Sequence, residues 1–416
     1  MKGLEELKKE YEEYRAQGLK LDMSRGKPCR EQLDLSMGIL DVVNSESDLT
    51  CENGFDGRNY GVVDGIPECR RFMSEMTEIP AENIIVFGNS SLNIMFDVVG
   101  HAFHHGIMGN TPWCRLDKPV KFLCVVPGYD RHFAVSEYFG CENVCVPMLE
   151  SGPDMDLVEK LVSEDETVKG IWCVPKYSNP TGSSYSDETV RRMAALKPAA
   201  KDFRIFWDNA YCIHHLYDDK QDKVLDILSE CEKAGNPDMV YIFASTSKVT
   251  FPGAGVACMG SSKANLDDFK SQMKFQTIGH DKINQLRHVR YFKNAENLAE
   301  HMKKHAEILR PKFEMVERIF AEELSELKAE GKVNWTIPNG GYFISLDVPE
   351  GCAKKVVGMC ADAGVKLTGA GATFPGGKDP KDSNIRIAPS FPPVNELEIA
   401  ARLLCLCILI SAKEQN

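Results

Sequence analysis

Residues 239–248 read MVYIFASTSK, an apolar run of strand length that is followed closely by a lysine. β-Branched and aromatic residues favour a strand, and a run without polar alternation is typical of a strand buried on both faces. A lysine at the end of such a strand is unexpected, because burial of a charged amine costs free energy. We predict that this strand delivers Lys248 to a cleft, where desolvation lowers its pKa and frees the amine for Schiff-base chemistry.

Similar apolar runs recur between about residue 80 and residue 280, and helix-length amphipathic segments separate most of them. The seven runs are 83–88, 120–126, 143–148, 170–175, 204–207, 239–244 and 255–260. Alternation of strands and helices predicts an α/β domain with a mostly parallel, seven-stranded sheet covered by helices. In such sheets ligands bind at the carboxyl ends of the strands.

A different pattern follows the last of these runs. Residues 281–328 are almost wholly helical in pattern, with a break or kink expected at Pro311, and strand-like segments return at 341–348, 365–368 and 384–388. We expect a small α+β domain that includes both termini. The predicted division is an N-terminal arm and part of the small domain (1–45), a large cofactor domain (46–310) and the rest of the small domain (311–416).

Composition excludes several classes of protein. The 416 residues carry a net charge of −12, which argues against nucleic acid or an anionic membrane as a partner because both require a basic face. The N-terminus lacks the apolar core of a signal peptide, and no run approaches the length of a membrane span, so we expect a cytoplasmic protein.

The spacing of the cysteines and histidines predicts no metal site. The 15 cysteines are scattered, which favours reduced, structural thiols. His301 and His305 share a helical face, but charged neighbours favour a solvated face over a metal site.

Polar and aromatic residues follow the predicted strands, and each permits a functional and an ordinary interpretation. Ser90 and Ser91 begin a helix, where they could bind a phosphate or simply cap it. Tyr129 could stack on a flat ring or pack on its neighbours, and Asn179 could point into a cleft or belong to a generic Asn-Pro turn. Asp208 follows an apolar strand and therefore requires a partner.

Taken together, these residues resemble a known family, the fold-type I, class I aminotransferases, in order and rough spacing over nearly the whole chain. The motifs are Asn179-Pro180-Thr181-Gly182, Asp208-x-x-Tyr211, Ser245-x-Ser247-Lys248 followed by Pro252-Gly253, and Asn384-Ile385-Arg386-Ile387-Ala388, with Arg25-Gly26-Lys27-Pro28 and Tyr60-Gly61 near the N-terminus. The chain is most similar to an aspartate aminotransferase-like branch that carries the same RGKP sequence.

The resemblance implies pyridoxal 5′-phosphate as the cofactor and gives the matched residues roles around its ring. Lys248 would form the Schiff base and move the substrate proton. Asp208 would pair with the pyridine nitrogen, which makes the ring an electron sink. Tyr211 and Asn179 would hydrogen-bond the phenolic oxygen, and Tyr129 would stack on the ring face.

The resemblance also implies a phosphate site, a substrate site and a homodimer. The phosphate would lie on residues that follow two of the strands, namely Ser90, Ser91, Leu92, Ser245 and Ser247. Tyr60 would reach it from the second subunit, so that the active sites are shared. Arg386 would bind the substrate α-carboxylate, with Asn179 and Gly38 also at the substrate. The family's usual phosphate-binding Arg after Pro-Gly is missing, because residues 252–257 read PGAGVA.

The function that this resemblance implies is transfer of an amino group between an amino acid and a 2-oxo acid, with aspartate and glutamate as leading substrates. A second carboxylate requires a second cation, for which Arg58, Arg131, Arg287 and Arg290 are candidates. Alternatives are an aminotransferase for aromatic or neutral amino acids, a C–S β-lyase with the same cofactor, and, more remotely, an aminotransferase-like regulatory binding protein.

Overall fold

The computed structural model describes residues 2–415, and within them the chain forms thirteen β-strands. They are β1 (Leu21–Asp22), β2 (Ile84–Val86), β3 (Lys121–Val126), β4 (Glu142–Leu149), β5 (Gly152–Pro153), β6 (Val168–Cys173), β7 (Arg204–Asp208), β8 (Val240–Ser245), β9 (Ala257–Gly260), β10 (Asn334–Trp335), β11 (Ile344–Asp347), β12 (Val365–Lys366) and β13 (Asn384–Ile387).

Fourteen α-helices and four short 3₁₀-helices connect or cover these strands in the same part of the chain. The α-helices are α1 (Leu4–Ala16), α2 (Arg30–Asp34), α3 (Pro67–Thr77), α4 (Ser91–His105), α5 (Asp130–Tyr138), α6 (Met155–Glu164), α7 (Asp187–Ala194), α8 (Ile227–Lys233), α9 (Lys263–Met273), α10 (Lys282–Phe292), α11 (Ala295–Glu323), α12 (Ser325–Ala329), α13 (Ala353–Asp362) and α14 (Val394–Glu414). The 3₁₀-helices are Met37–Leu40, Ala81–Asn83, Trp113–Arg115 and Pro375–Gly377.

The predicted α/β architecture is confirmed by one large sheet with the strand order β2-β9-β8-β7-β6-β3-β4-β5. Strands β3, β4, β6, β7 and β8 are mutually parallel, β2 runs in the same direction, and β9 and β5 run against them. All seven predicted runs form strands, but the predicted number of seven is one short. The eighth, β5, is a two-residue edge strand, too short to leave a periodic pattern in the sequence.

Alternation of side chains along each strand fills two apolar layers, one on each face of this sheet. In β7, Ile205 and Trp207 pack in the layer with α6, α7 and α8, whereas Phe206 packs in the layer with α4 and α9. Side chains of a strand point alternately to opposite faces, so a strand covered on both sides must be apolar at every position. The unbroken apolar runs of the sequence follow from this double burial.

A third apolar cluster joins the two ends of the chain. Leu7 of α1 packs with Phe313 of α11 and Leu404 of α14. Strand β1 pairs in parallel with β12, and β10, β11 and β13 form a three-stranded antiparallel sheet. This packing favours a small unit built from both termini, while the boundaries at residues 45 and 310 stay a prediction.

Two expectations about the C-terminal half require correction. Helix α11 continues through Pro311 from Ala295 to Glu323, so the expected break is wrong, while a kink stays a prediction. The proline is exposed, and there the carbonyl left without an N–H donor can bond water. His301 and His305 are buried instead of solvated, since His301 Nε2 bonds the carbonyl oxygen of Val249 at 2.8 Å and the Gln32 amide lies 3.0 Å from His305 Nδ1.

None of the helices within the described residues combines the length and the apolarity that a membrane span requires. The apolar end of α14, which contains Cys405 and Cys407, is instead buried in the third cluster. A buried cysteine in such a position acts as a small apolar side chain. The two thiols are therefore structural, as the sequence predicts for the cysteines.

Several buried histidines make the stability of this fold depend on pH. Burial lowers the pKa of His288 and His215 to about 4 and that of His305 to about 3. In the unfolded chain these histidines bind a proton near pH 6.5, whereas in the folded chain they do so only at lower pH. The free energy of unfolding therefore falls as the pH falls from about 6.5 towards 4, by up to about 1.4 kcal/mol per pH unit for each histidine. Glu317, whose pKa burial raises to about 7, opposes the trend.

We expect His305→Gln to flatten this pH dependence in urea unfolding at a fixed chain concentration. The variant removes one proton-binding difference, so the slope between pH 6.5 and pH 4 should decrease by up to about 1.4 kcal/mol per pH unit. His104→Gln is the matched control, because His104 is exposed. Equal slopes for the two variants would show that His305 does not carry the dependence.

Candidate active site

A cavity of about 560 Å³ lies where the large sheet meets the C-terminal unit. Its walls include residues that directly follow the parallel strands β2, β3, β6, β7 and β8, and residues from the N-terminal segment and the three-stranded sheet. Those named below are Arg25, Lys27, Ser90, Ser91, Leu92, Tyr129, Asp130, Arg131, Asn179, Asp208, Tyr211, Ser245, Ser247, Lys248, Phe343, Lys366 and Arg386. A second cavity of about 570 Å³ surrounds Lys176 and Asp222 and contains none of the predicted site residues.

Asp208 is a buried carboxylate in the first cavity. It is the last residue of β7 and is only 3% exposed. Its Oδ2 atom lies 3.0 Å from Nε2 of His132, whose ring stacks on Trp172 at 4.7 Å. Its Oδ1 atom is buried without a hydrogen-bond partner. Since buried carboxylate oxygens are normally bonded, Oδ1 is available to a donor on a bound ligand.

Lys248 lies beyond the end of β8, among aromatic rings. Its Nζ atom is 4.9 Å from the centre of the Tyr211 ring and 5.8 Å from that of Tyr342. Burial lowers the pKa of the Lys248 amine, and the nearby Asp208 carboxylate opposes part of that effect. Desolvation thus favours the neutral, nucleophilic form of the amine.

Small hydroxyl side chains form a third part of the cavity, near the beginning of α4. Ser90 occupies the N-cap position, yet its side chain makes no capping bond, which leaves its hydroxyl available. Ser245 Oγ donates to Ser247 Oγ at 2.9 Å, and Ser247 Oγ donates to the carbonyl oxygen of Asn89 at 3.1 Å. Free backbone N–H groups of a helix N-terminus next to hydroxyls are well suited to an anion.

Arg386 projects from β13 on the opposite wall and is 8% exposed. Its Nη1 atom lies 2.9 Å from Asp130 Oδ1 and 3.3 Å from Asn179 Oδ1, while its Nε atom is buried without an acceptor. Its guanidinium lies over the Phe343 ring at 5.1 Å. Gly26 must be a glycine, because a Cβ atom there would lie 2.2 Å from the Phe343 ring. The arrangement presents a fixed guanidinium to the cavity.

The comparisons with known proteins agree with this geometry. A family model described as aspartate amino-transferase matches residues 2–416. The chain belongs to this family. A protein of Mycolicibacterium smegmatis whose name describes an aminotransferase without a stated substrate is 48% identical over 406 residues, covering 97% of this chain and 94% of that protein.

Two further comparisons name aspartate as a substrate of the relative. An aspartate aminotransferase of Corynebacterium glutamicum is 44% identical over 414 residues, covering 99% of this chain and 94% of its own. A crystal structure of an aspartate transaminase from C. glutamicum has a TM-score of 0.95 at 44% identity, covering 99% of this chain and 96% of the other. The predicted membership among fold-type I aminotransferases is confirmed.

The cofactor of this aminotransferase family is pyridoxal 5′-phosphate, as the sequence predicts. Its functional groups fit the residues present. The unpartnered Oδ1 of Asp208 suits the protonated ring nitrogen, the amine of Lys248, whose pKa burial lowers, suits the aldehyde carbon, and the hydroxyls near the start of α4 suit the phosphate. The site of this aminotransferase is therefore compatible with the cofactor.

Most of the predicted site residues come together in one cavity of this aminotransferase, but two do not. Tyr60 is 78% exposed, and both Tyr60 and Gly38 lie outside the cavity lining of their own chain. Gly38 faces the Tyr291 ring instead, so its predicted substrate contact lacks support within one chain. Of the four arginines considered for a second carboxylate, Arg131 lines the cavity, whereas Arg58 pairs with Asp56.

Sequence reasoning missed several residues of this site. His132 bonds Asp208, which lines the cavity, and is three residues after Tyr129, a spacing that places both at the start of one helix and could have indicated it. Phe343 and Lys366 belong to no sequence motif that would have identified them as site residues. Arg25 and Lys27 were part of a motif, but nothing in the sequence indicates that they face the cavity.

The loop of residues 252–257 lacks the family's usual arginine and carries no charged side chain. The Asn89 amide donates to the carbonyl oxygen of Pro252 at 3.0 Å, and the Asn284 amide donates to those of Ala254 and Gly255 at 3.0 and 2.9 Å. Cationic side chains of the described residues reach the cavity elsewhere, namely Arg25, Lys27, Arg131, Lys248, Lys366 and Arg386. Near Ser90, hydroxyls and backbone N–H groups are available to a phosphate, and which of these cations would also reach it stays open.

Proposed function

We propose that this protein is a pyridoxal-phosphate-dependent aminotransferase that exchanges the amino group between aspartate or glutamate and a 2-oxo acid. The main support for this proposal is that Lys248, with its lowered pKa, and the unpartnered Oδ1 of Asp208 lie in one cavity with Arg386. The bound cofactor supplies an electron sink for the electrons left when the substrate Cα loses its proton. The residues of this chain supply orientation and proton transfer.

Each residue then has one physical task. Asp208 would hold the ring nitrogen through Oδ1, while His132 bonds Oδ2 and keeps the carboxylate in place. Tyr211 and Asn179 would hold the phenolic oxygen, and Tyr129 would pack on the ring face. Lys248 would hold the cofactor through Nζ and would move a proton at Cα of the substrate.

The substrate is held by its carboxylates. Arg386 binds the α-carboxylate, since a guanidinium can donate two parallel hydrogen bonds to it. Four cationic side chains at the cavity wall, Arg25, Lys27, Arg131 and Lys366, offer partners for a second carboxylate. Together with the names of the relatives at 44% identity, these charges favour aspartate and glutamate over neutral or aromatic amino acids.

Single-turnover half-reactions with a panel of amino acids test this function. L-Aspartate and L-glutamate should convert the bound cofactor to pyridoxamine phosphate faster than L-alanine or L-phenylalanine at equal concentration. Faster conversion by L-phenylalanine would show that the enzyme is an aminotransferase for aromatic amino acids. Release of pyruvate and ammonia from a sulfur-containing amino acid without formation of pyridoxamine phosphate would identify a β-lyase.

The proposal includes a homodimer with shared active sites, for which an exposed apolar surface around Tyr60 gives support. Tyr60, Phe275 and Ile278 are 78%, 86% and 61% exposed, and the N–H of Gly61 bonds the carbonyl oxygen of Ile278 at 3.2 Å. Neighbouring exposed apolar side chains are typical of a protein interface. Sedimentation equilibrium should give twice the 46.4 kDa of one chain.

We expect Tyr60→Phe to raise the dissociation constant of the cofactor about tenfold, because one hydrogen bond from the partner subunit to the phosphate is lost. Equilibrium dialysis with pyridoxal phosphate measures it. Tyr138→Phe is the control, since Tyr138 is also exposed, at 74%, but lies on α5 next to Phe96. If both variants bind the cofactor alike, the shared-site arrangement is wrong.

The proposed location is the cytoplasm. All fifteen cysteines, which lie within the described residues, are free, and thirteen of them are buried. Unpaired thiols in such number suit a reducing compartment. Fractionation of cells with an antibody to the chain tests the location, and recovery in the extracytoplasmic fraction would reject it.

A further inference from the structure

The ion pair between Arg386 and Asp130 occupies the place at which the substrate carboxylate is proposed to bind. Asp130 Oδ1 lies 2.9 Å from Nη1 of Arg386. The arginine side chain is 9% exposed and that of the aspartate 35%. A guanidinium so enclosed requires a counter-ion, since burial of an unpaired charge is costly. In the absence of substrate, Asp130 supplies it.

This internal partner satisfies the guanidinium incompletely. Asp130 and Asn179 both approach the same Nη1 atom, at 2.9 and 3.3 Å, while Nε of Arg386 is buried without an acceptor. A carboxylate that accepts two parallel hydrogen bonds binds a guanidinium more strongly than one that accepts a single bond. A substrate carboxylate that also reached Nε would therefore be the better partner.

The position of Asp130 makes its displacement inexpensive. It is the first residue of α5, where the free N–H groups and the helix dipole stabilise a negative charge whether or not the arginine is near. Its partial exposure also allows hydration. The ion pair links α5, beside the large sheet, to β13 of the three-stranded sheet. A substrate carboxylate that binds Arg386 would therefore separate Asp130 from Arg386 at this same contact.

We propose that Asp130 is a positioning residue that serves as the internal counter-ion of Arg386 and competes with the α-carboxylate of the substrate. The proposal rests on the proposed function in one respect, the binding of that carboxylate by Arg386. Asp130 lowers the affinity of Arg386 for every carboxylate ligand. Between turnovers it neutralises the positive charge of the Arg386 guanidinium. An amine without a carboxylate gains nothing from Arg386, because the internal pair stays in place.

The experiment compares Asp130→Asn with the wild-type holoenzyme, using maleate, a dicarboxylate without an amino group, as the probe. The dissociation constant of maleate and the KM of L-aspartate should both fall by at least about fivefold, with kcat changed by less than about twofold, because competition acts on binding. Glu137→Gln is the matched control, since it removes the same charge from the same helix at a residue that bonds Gly376 and Asn143 instead of Arg386.

A double-mutant cycle with Arg386→Gln shows whether the effect passes through the arginine. Asp130→Asn should tighten maleate binding in the wild-type background and leave it unchanged in the Arg386→Gln background. Asp130→Ser, which keeps a helix-starting residue, replaces Asp130→Asn if the latter does not fold.

Three results would overturn the inference while leaving the proposed function intact. They are no gain in affinity for Asp130→Asn, an equal gain for Glu137→Gln, or a gain that persists without Arg386. If Arg386→Gln alone leaves maleate binding unchanged, the assignment of Arg386 in the proposed function fails, and this inference fails with it. Loss of binding in Arg386→Gln without an effect of Asp130→Asn overturns the inference alone.

Discussion

Lys248→Ala should slow the half-reaction with L-aspartate by at least about 10³-fold, because general acid–base catalysis by a positioned side chain contributes roughly 10²- to 10⁴-fold and the covalent route is lost as well. The variant should still bind pyridoxal phosphate, since Asp208 and the hydroxyls near Ser90 are unchanged. Single-turnover absorbance measurements give the rate, and equilibrium dialysis gives the affinity.

Lys176→Ala is the matched control for this prediction. Lys176 also follows a strand of the large sheet, and burial also lowers its pKa, but its Nζ donates to the carbonyl oxygen of Cys212 at 2.7 Å in the second cavity. Its replacement should leave the half-reaction rate within about threefold. Borohydride reduction followed by peptide mapping should place the cofactor on Lys248. Label on Lys176 would overturn the assignment of the site.

Asp208→Asn should lower the same rate by about 10²-fold to about 4 × 10³-fold. The amide leaves a positively charged ring nitrogen without its buried counter-ion, and removal of one partner of a buried ion pair costs about 3–5 kcal/mol, at about 1.4 kcal/mol for each factor of ten. Because Oδ1 of Asp208 has no partner among residues 2–415, the loss should appear in holoenzyme function more than in folding. The half-reaction with L-aspartate and the urea midpoint of the apoenzyme separate the two.

Asp202→Asn provides the contrast. Asp202 is buried to a similar extent, but it precedes β7 at the opposite end of the sheet and binds Lys169 at 2.6 Å and Trp113 at 2.8 Å. Its replacement should lower the urea midpoint and spare the half-reaction. If Asp202→Asn slows the reaction as much as Asp208→Asn, the effect of Asp208 is structural and its proposed contact with the cofactor is wrong.

The local sequence accounts for the strands and the residues that follow them. An unbroken apolar run predicts a strand that is covered on both faces, and seven such runs are strands of the large sheet. A lysine or an aspartate after such a run must lie at the carboxyl edge, because the strands are parallel. Lys248 and Asp208 were found for this reason, and they lie in one cavity.

Other residues of the site could not be found in this way, because they depend on contacts between distant segments. His132 touches Asp208 across 76 positions of sequence, and Arg386 touches Asp130 across 256. His301 and His305 were predicted to be solvated since their neighbours in sequence are charged. Their partners Val249 and Gln32 belong to other elements, which the helical pattern does not reveal.

By itself the sequence determined the α/β class and the family and predicted roles for the lysine and the aspartate, because strand periodicity and motif spacing are local properties of the chain. Only the tertiary structure decided which charges face one another. It placed Asp130 against Arg386, left Oδ1 of Asp208 without a partner and put Tyr60 outside its own cavity. Those facts depend on how the C-terminal unit packs against the sheet, and packing brings together residues that no local pattern connects.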